Sequence, residues 1–328
     1  MFQSIFSLLS NVMPIVIISG LLYAGLFIKP EPTGDALKEP VIEAKDKFFG
    51  VSMAGNEGLW VVGSFGKIIH SADKGEHWVK QNSGTKQHLQ SVSAWDANHA
   101  IVVGNDGVTL VTDDGGKRWT RVETPRSEIA NKLLRVKTRA NGEAWIVGEV
   151  SALYQSTDFG KTWARRSGDE DISYNDLAFI SNDVGWLVGE YGTIMKTIDA
   201  GLTWELMSAP VESSLMSISF ADENNGIIVG LEGVILQTQD GGANWEQKQG
   251  VTTEHLFDVE YDAENKYWLA VGNKGLWQSY ALDGTVKSSR FFTYDLSWHT
   301  DLLVDGGQAY VAGDNVGVWA DDKWTVFN

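Results

Sequence analysis

The sequence predicts an all-β protein: a seven-bladed β-propeller of four-stranded antiparallel blades, preceded by one N-terminal transmembrane helix. Three observations carry that expectation. An eight-residue pattern, Ser/Thr-x-Asp-x-Gly-x-x-Trp, occurs five times, as SADKGEHW (71–78), TDDGGKRW (112–119), STDFGKTW (156–163), TIDAGLTW (197–204) and TQDGGANW (238–245). A glycine that ends an apolar run falls at Gly63, Gly104, Gly148, Gly189, Gly230, Gly272 and Gly313, at intervals of 41 to 44 residues. Self-similarity at that period marks stacked supersecondary units. The chain also holds 35 Gly and 14 Trp but only 6 Pro among 328 residues, which supplies turns and large buried rings.

The N-terminal element, 1–28, has no charged side chain. Its apolar run 5–28 exceeds the roughly 20 residues a helix needs to cross a bilayer. Pro14 is tolerated in such a helix. A cleaved signal peptide would carry a basic residue near Met1 and a small-x-small site, and neither is present. The segment is therefore expected to stay as an anchor. Gly20 and Ala24 stand four apart and would let a second membrane helix approach closely. Residues 29–46, with Pro30, Pro32 and Pro40, read as an extended tether, and 41–44 as a possible short edge strand.

Residues 47–328 fill seven units with nothing left over. In the second unit the expected strands are 90–95, 100–103, 108–112 and 118–123, separated by turns rich in Asn, Asp and Gly. A large apolar residue precedes most of the marker glycines by three positions: Trp60, Ile101, Trp145, Trp186, Ile227 and Tyr310, with Trp268 one step earlier in unit six. Four strands in about 40 residues is a propeller blade. A blade buries its faces only by stacking on two neighbours, so seven units close a ring.

The recurring octapeptide reads as a structural staple. The carboxylates of Asp73, Asp114, Asp158, Asp199 and Asp240 can accept hydrogen bonds from their own turns, while Trp78, Trp119, Trp163, Trp204 and Trp245 bury rings against the blades. One Asp per blade on a ring cannot converge into a catalytic set. Units six and seven lack the pattern, with 280–284 and 321–324 in its place.

Composition removes several function classes. A net charge of −17 argues against a nucleic-acid surface, which needs a basic stripe. There is no Cys, so there is no disulfide framework, no thiolate nucleophile and no lipid-bearing cysteine. The six His show no metal-ligand spacing, and no phosphate loop occurs. No catalytic, cofactor-binding or metal-binding residue is expected. Counting back from the marker glycines puts Ser91, Arg135, Asp176, Ser217, Asp258 and Thr300 at one depth on the innermost strands, with Arg135, Asp176 and Asp258 the best candidates for polar anchors and, through them, partner contacts. The longer loops between blades offer Tyr174, Trp298, His299 and the acidic run 169–171 as contact residues.

The octapeptide resembles the Asp-box, or BNR repeat, of sialidases and many other propellers. Its longer forms, VGNDGVTLVTDDGGKRW and VGLEGVILQTQDGGANW, resemble the photosystem II assembly and stability factor family. The resemblance covers 48–328, clearly in units one to five and loosely in six and seven. It implies an exported or lumenal propeller that binds a membrane protein during assembly. Photosynthetic members bind through an arginine-rich patch, and Arg is scarce here. Similar proteins of non-photosynthetic bacteria look like membrane-tethered accessories, sometimes encoded beside exporters of the resistance-nodulation-division (RND) type, and the uncleaved anchor fits that branch. The expected function is thus a non-enzymatic accessory of an integral inner-membrane complex, first an RND-type transporter, on a single-pass anchor with the propeller in the periplasm. A photosystem II assembly factor is the alternative. A sialidase-like glycan-binding or glycan-cleaving propeller is the third reading, although the arginine set of such enzymes is missing.

Overall fold

The computed structural model describes residues 2–27, 40–168 and 170–327, with side chains in the first segment given from Val12 onward. Met1, Ile28 and most of the expected tether (29–39) lie outside the described residues, as does Asp169. Two compact units result, Met1–Pro40 and Val41–Asn328. In the first, a helix runs Phe2–Phe27 with Pro14 inside it. Among the residues whose side chains are described, no helix is long and apolar enough to cross a membrane.

The second unit consists of seven four-stranded sheets, each built from four consecutive strands paired antiparallel in chain order. The innermost strands are Phe48–Ala54, Leu89–Ala94, Leu133–Thr138, Tyr174–Phe179, Leu215–Phe220, Leu256–Asp262 and His299–Asp305. The second strands end on the marker glycines and are buried almost throughout, as in Ala144–Gly148 and Gly226–Gly230. Trp60, Trp145, Trp186, Trp268 and Tyr310 on these strands are among the largest fully buried side chains. Each fills the space between neighbouring blades, which is why a large apolar residue recurs there. The outermost strand of blade 2 is shorter than the expected 118–123. In blade 2 only Thr120–Arg121 pairs, because the octapeptide turn occupies the residues before it.

That turn has one chemistry in blades 1 to 5. The Ser or Thr hydroxyl donates to the Asp carboxylate at 2.8–2.9 Å and accepts from the N–H of the glycine four residues on at 2.8–3.0 Å. The same carboxylate accepts the backbone N–H of His77, Arg118, Thr162, Thr203 or Asn244. In blade 1 the ring of His77 also meets Asp73 at 2.7 Å, the role played by Thr162, Thr203 and Asn244 in blades 3 to 5. The close approach of Asp73, Glu76 and His77 is therefore part of this turn. These bonds hold the turn carboxylates below the usual range, Asp73 and Asp240 at about 2.

The ring closes between whole blades. Phe48, Val51 and Ile69 of blade 1 share a core with Tyr310, Ala312 and Val316 of blade 7. Residues 41–44 form no strand, contrary to the sequence expectation. Glu43 and Asp46 close a tight turn on each other instead, through Asp46 N–H to the Glu43 carbonyl at 2.9 Å and Glu43 N–H to Asp46 Oδ2 at 2.8 Å. Val41 and Ile42 pack on the closure core, and the buried Lys67 ammonium pairs with Asp46 and donates to the Val41 carbonyl.

Candidate functional site

Every innermost strand carries a β-bulge at its second residue, where the register to the second strand shifts by one. A bulge re-aims its side chain. Here all seven bulged residues, Phe49, Gln90, Leu134, Asn175, Met216, Phe257 and Thr300, line one cavity of about 250 Å³ together with Lys132 and Arg135. This is the mouth of the central channel at the end where the inner strands start.

Below it lies a ring of small and charged side chains, one per blade: Gly50, Ser91, Arg135, Asp176, Ser217, Asp258 and Asp301. The register fixes this set, since these residues lie opposite equivalent positions of the second strands. Sequence counting placed Thr300 in it, and that is corrected to Asp301. The first hairpin of blade 7 turns on two residues, Gly306 and Gly307, both with positive φ, so a fixed offset from Gly313 lands one residue early.

These residues plug the channel and latch the blades. Val136 N–H donates to Ser91 Oγ, Ile218 N–H to Asp176 Oδ2, Val259 N–H to Ser217 Oγ, Leu302 N–H to Asp258 Oδ2 and Val51 N–H to Asp301 Oδ2, at 2.7–3.3 Å. Each bond joins one blade to the next, and the last closes the ring. At the other two junctions stand Gly50 and Arg135, which offer no acceptor. A Cβ on Gly50 would come within 2.9 Å of the Ser91 backbone. Arg135 spends its guanidinium on three carboxylates, with Nη1 bonded to Asp301, Nη2 3.3 Å from Asp258 and Nε 3.7 Å from Asp176. Burial and the neighbouring Asp258 push Asp301 well above the usual carboxylate range. Burial acts on Asp258 too, but Arg135 and Lys137 hold it below. Desolvation pushes Glu260, further down the channel, up to about 7.

The expected site residues divide. Arg135, Asp176 and Asp258 come together in the plug as anchors of the ring, buried there instead of standing free as partner contacts. Tyr174 and His299 are buried at the first positions of their strands, 3% and 0% exposed, and do not reach the surface as contact residues. Burial, with the Glu170 charge, raises the Tyr174 phenol to about 12, and burial lowers the His299 imidazole to about 4. Trp298 is half-buried and stacks on Phe49 at 5.6 Å over the channel mouth. Gly20 is exposed on the N-terminal helix with open space around it, and Ala24 is half-buried.

Sequence reasoning missed the residues that stand out most on this face. Phe65 and Tyr191 occupy the tight turns after the marker glycines at φ 54° and 56°, and they are 70% and 72% exposed. Asp106, Glu232 and Lys274 hold the equivalent place. A bulky ring in the left-handed region costs the fold free energy, and here each ring stays mostly exposed. Tyr294 and Leu296 in the loop before blade 7, and Ile129 in the loop before blade 3, are also exposed. His88 bridges inward, with ring centroids 5.1 Å from Phe65 and 5.9 Å from Phe49. The signal was legible as an aromatic in a turn that prefers Asn or Asp. The face that bears the cavity thus carries exposed aromatic and apolar residues among charged turns.

The family profile described as photosynthesis system II assembly factor YCF48 matches residues 77–173 and 168–249, together more than half of the chain. The photosystem II assembly lipoprotein Ycf48 of Synechocystis sp. is 28% identical over 111 residues, 33% of this chain and 32% of that protein. The photosystem II stability/assembly factor HCF136 of Arabidopsis thaliana is 26% identical over 125 residues, 36% of this chain and 30% of that one. The alignments thus span about a third of the length of these relatives. Among solved structures, YCF48 bound to D1 peptide superposes with a TM-score of 0.67 at 18% identity, covering 82% of this chain and 91% of that one. YCF48 from Cyanidioschyzon merolae gives 0.67 at 17% identity, over 84% and 95%. The WD40 propeller of Doa1 gives 0.68 at only 10% identity, over 86% and 95%, so these superpositions speak to fold. Repeat, register and profile agree, and this chain belongs to the YCF48 family of photosystem II assembly factor propellers.

Proposed function

We propose that this protein is an assembly factor that grips a segment of an integral membrane protein on the channel-mouth face, without catalysing a reaction. The observation that carries this reading is two exposed aromatic residues, Phe65 in blade 1 and Tyr191 in blade 4, held in left-handed turns on the face that bears the bulge-lined cavity. A relative solved with a D1 peptide supports a peptide-like ligand, and the family supports a photosystem II subunit as its source. We place that role ahead of an RND-type transporter accessory, which has no support among the relatives. A sialidase-like activity is disfavoured by the inverted polarity of the channel, where one Arg is ringed by three Asp. Several relatives carry the name lipoprotein, whereas this chain has no Cys to hold a lipid. We propose that the helix Phe2–Phe27 is the anchor instead, with the propeller in the periplasm.

Purification of the full-length chain from its own membranes in mild detergent tests the function. An integral membrane protein co-elutes, and Phe65→Ser with Tyr191→Ser removes it. A monomer free of membrane proteins overturns the reading. Protease added to spheroplasts digests the propeller if it is periplasmic and leaves it intact if it is not.

A further inference from the structure

A second concavity lies at the opposite ends of the strands, between blades 6 and 7. At five other junctions the octapeptide turn of one blade fills the gap to the blade before it. Gly242 lies on the Trp186 ring and Gly201 on that of Trp145, so closely that a Cβ would approach to 2.3 and 2.2 Å. Gly160 packs on Val111, Gly116 on Gln81 and Gly75 on Phe327. Blade 7 has no such turn. Its third and fourth strands join through Asp321 and Asp322 alone, both with positive φ. A groove of about 430 Å³ stays open there.

Its walls are aromatic and its rim is acidic. Trp277 and Trp319 lie 5.3 Å apart with planes inclined at 43°, and Tyr267 stands beside them, all three half-buried. The Trp277 Nε1 donor is buried and has no acceptor among the described residues. Glu264, Asp321 and Asp322 line the rim against one cation, Lys287. Indole faces attract a cation, and a guanidinium can stack flat on a ring while its fork pairs with carboxylates. The fold already uses this contact elsewhere, with the Arg139 guanidinium 4.0 Å above the Phe179 ring.

We propose that this groove is a second interaction site, which takes an arginine side chain presented by a protein partner. The site follows from the loss of the octapeptide in blade 7 and does not depend on the reading of the channel mouth. The test uses full-length protein in mild detergent and the peptide acetyl-Gly-Gly-Arg-Gly-Gly-amide. Indole N–H resonances of Trp277 and Trp319 are assigned from Trp277→Phe and Trp319→Phe. Both resonances shift saturably with the arginine peptide. Its citrulline counterpart, which has the shape without the charge, binds roughly tenfold more weakly, as expected for about 1.4 kcal/mol of cation–π and ionic attraction. Asp321→Asn with Asp322→Asn weakens the arginine peptide by a similar factor, and Asn keeps the left-handed turn so the blade stays folded. Absence of a saturable shift, equal binding of the citrulline peptide or of a counterpart with Lys in place of Arg, or full affinity in the double Asn variant overturns the proposal. Phe65→Ser leaves the titration unchanged, which separates this site from the channel mouth.

Discussion

Blades 1 to 5 and blades 6 and 7 have the same four-stranded sheet but close their outer edges differently. In the first group a Ser or Thr, an Asp and a Gly lock each turn, and the turn is pressed into the neighbouring blade. In the second group plain hairpins do the job. Blade 6 extends its outer strands instead, pairing Leu276–Ala281 with Val286–Arg290, and Tyr280 fills the space against blade 5. Blade 7 fills its space only in part. The difference teaches that the repeat is a packing device, and that its absence leaves room for something else.

The largest expected effect lies at the axis, which both groups share. Arg135→Ala takes from Asp176, Asp258 and Asp301 the buried guanidinium they share, leaving Lys137 as the remaining cation beside Asp176, and is expected to cost about 3–5 kcal/mol, read as a lowered urea midpoint. A variant of unchanged midpoint would mean the plug contributes no stability. The next effect separates the groups. Gly242→Ala drives a Cβ into the Trp186 ring and costs about 2–3 kcal/mol through overpacking plus the left-handed penalty. Gly284→Ala, in the blade 6 turn at φ 87° with nothing within 4 Å, costs only about 1–2 kcal/mol of that penalty. Equal losses would erase the distinction between the two kinds of turn.

Smaller still is Asp199→Ala, which removes the acceptor of the Thr203 N–H and the Thr197 hydroxyl at an exposed turn that water can reach, and it should lower the urea midpoint by less than Gly284→Ala does. Asp322→Asn in blade 7 is expected within about 0.5 kcal/mol of the parent. The pH dependence sharpens the same contrast. Asp73 and Asp240 titrate near 2 in the fold, so their contribution is present above the ordinary carboxylate range and is lost as pH falls towards 2. Glu260 is shifted the other way, to about 7, so its contribution is present at low pH and is lost as pH rises through 7. Glu260→Gln should flatten stability between about pH 4.5 and 7, and Asp240→Asn should flatten it below about pH 4.

Much of this was readable in the sequence. The spacing of the marker glycines gave seven blades, because stacking requires each unit to repeat its length. The octapeptide gave the turns, because each bond lies within eight residues. Arg135, Asp176 and Asp258 were found by counting, but Asp301 was not, since a two-residue hairpin moved the frame by one. Residues 41–44 looked like a strand by composition, and the Glu43–Asp46 turn, invisible to periodicity, prevents it. Tyr174 and His299 looked like loop residues, yet both are the first residues of strands and face the core. Phe65 and Tyr191 were legible only as aromatics in turns that prefer Asn or Asp, and their left-handed backbone and exposure needed the structure.

Photo-crosslinking tests the central claim that partners are gripped at the channel mouth. A photoreactive residue replaces Phe65 on that face or Ile198 in an octapeptide turn on the other, both exposed. Crosslinks to an integral membrane protein from position 65 and none from 198 are the predicted result. Crosslinks from 198 with none from 65 would contradict it.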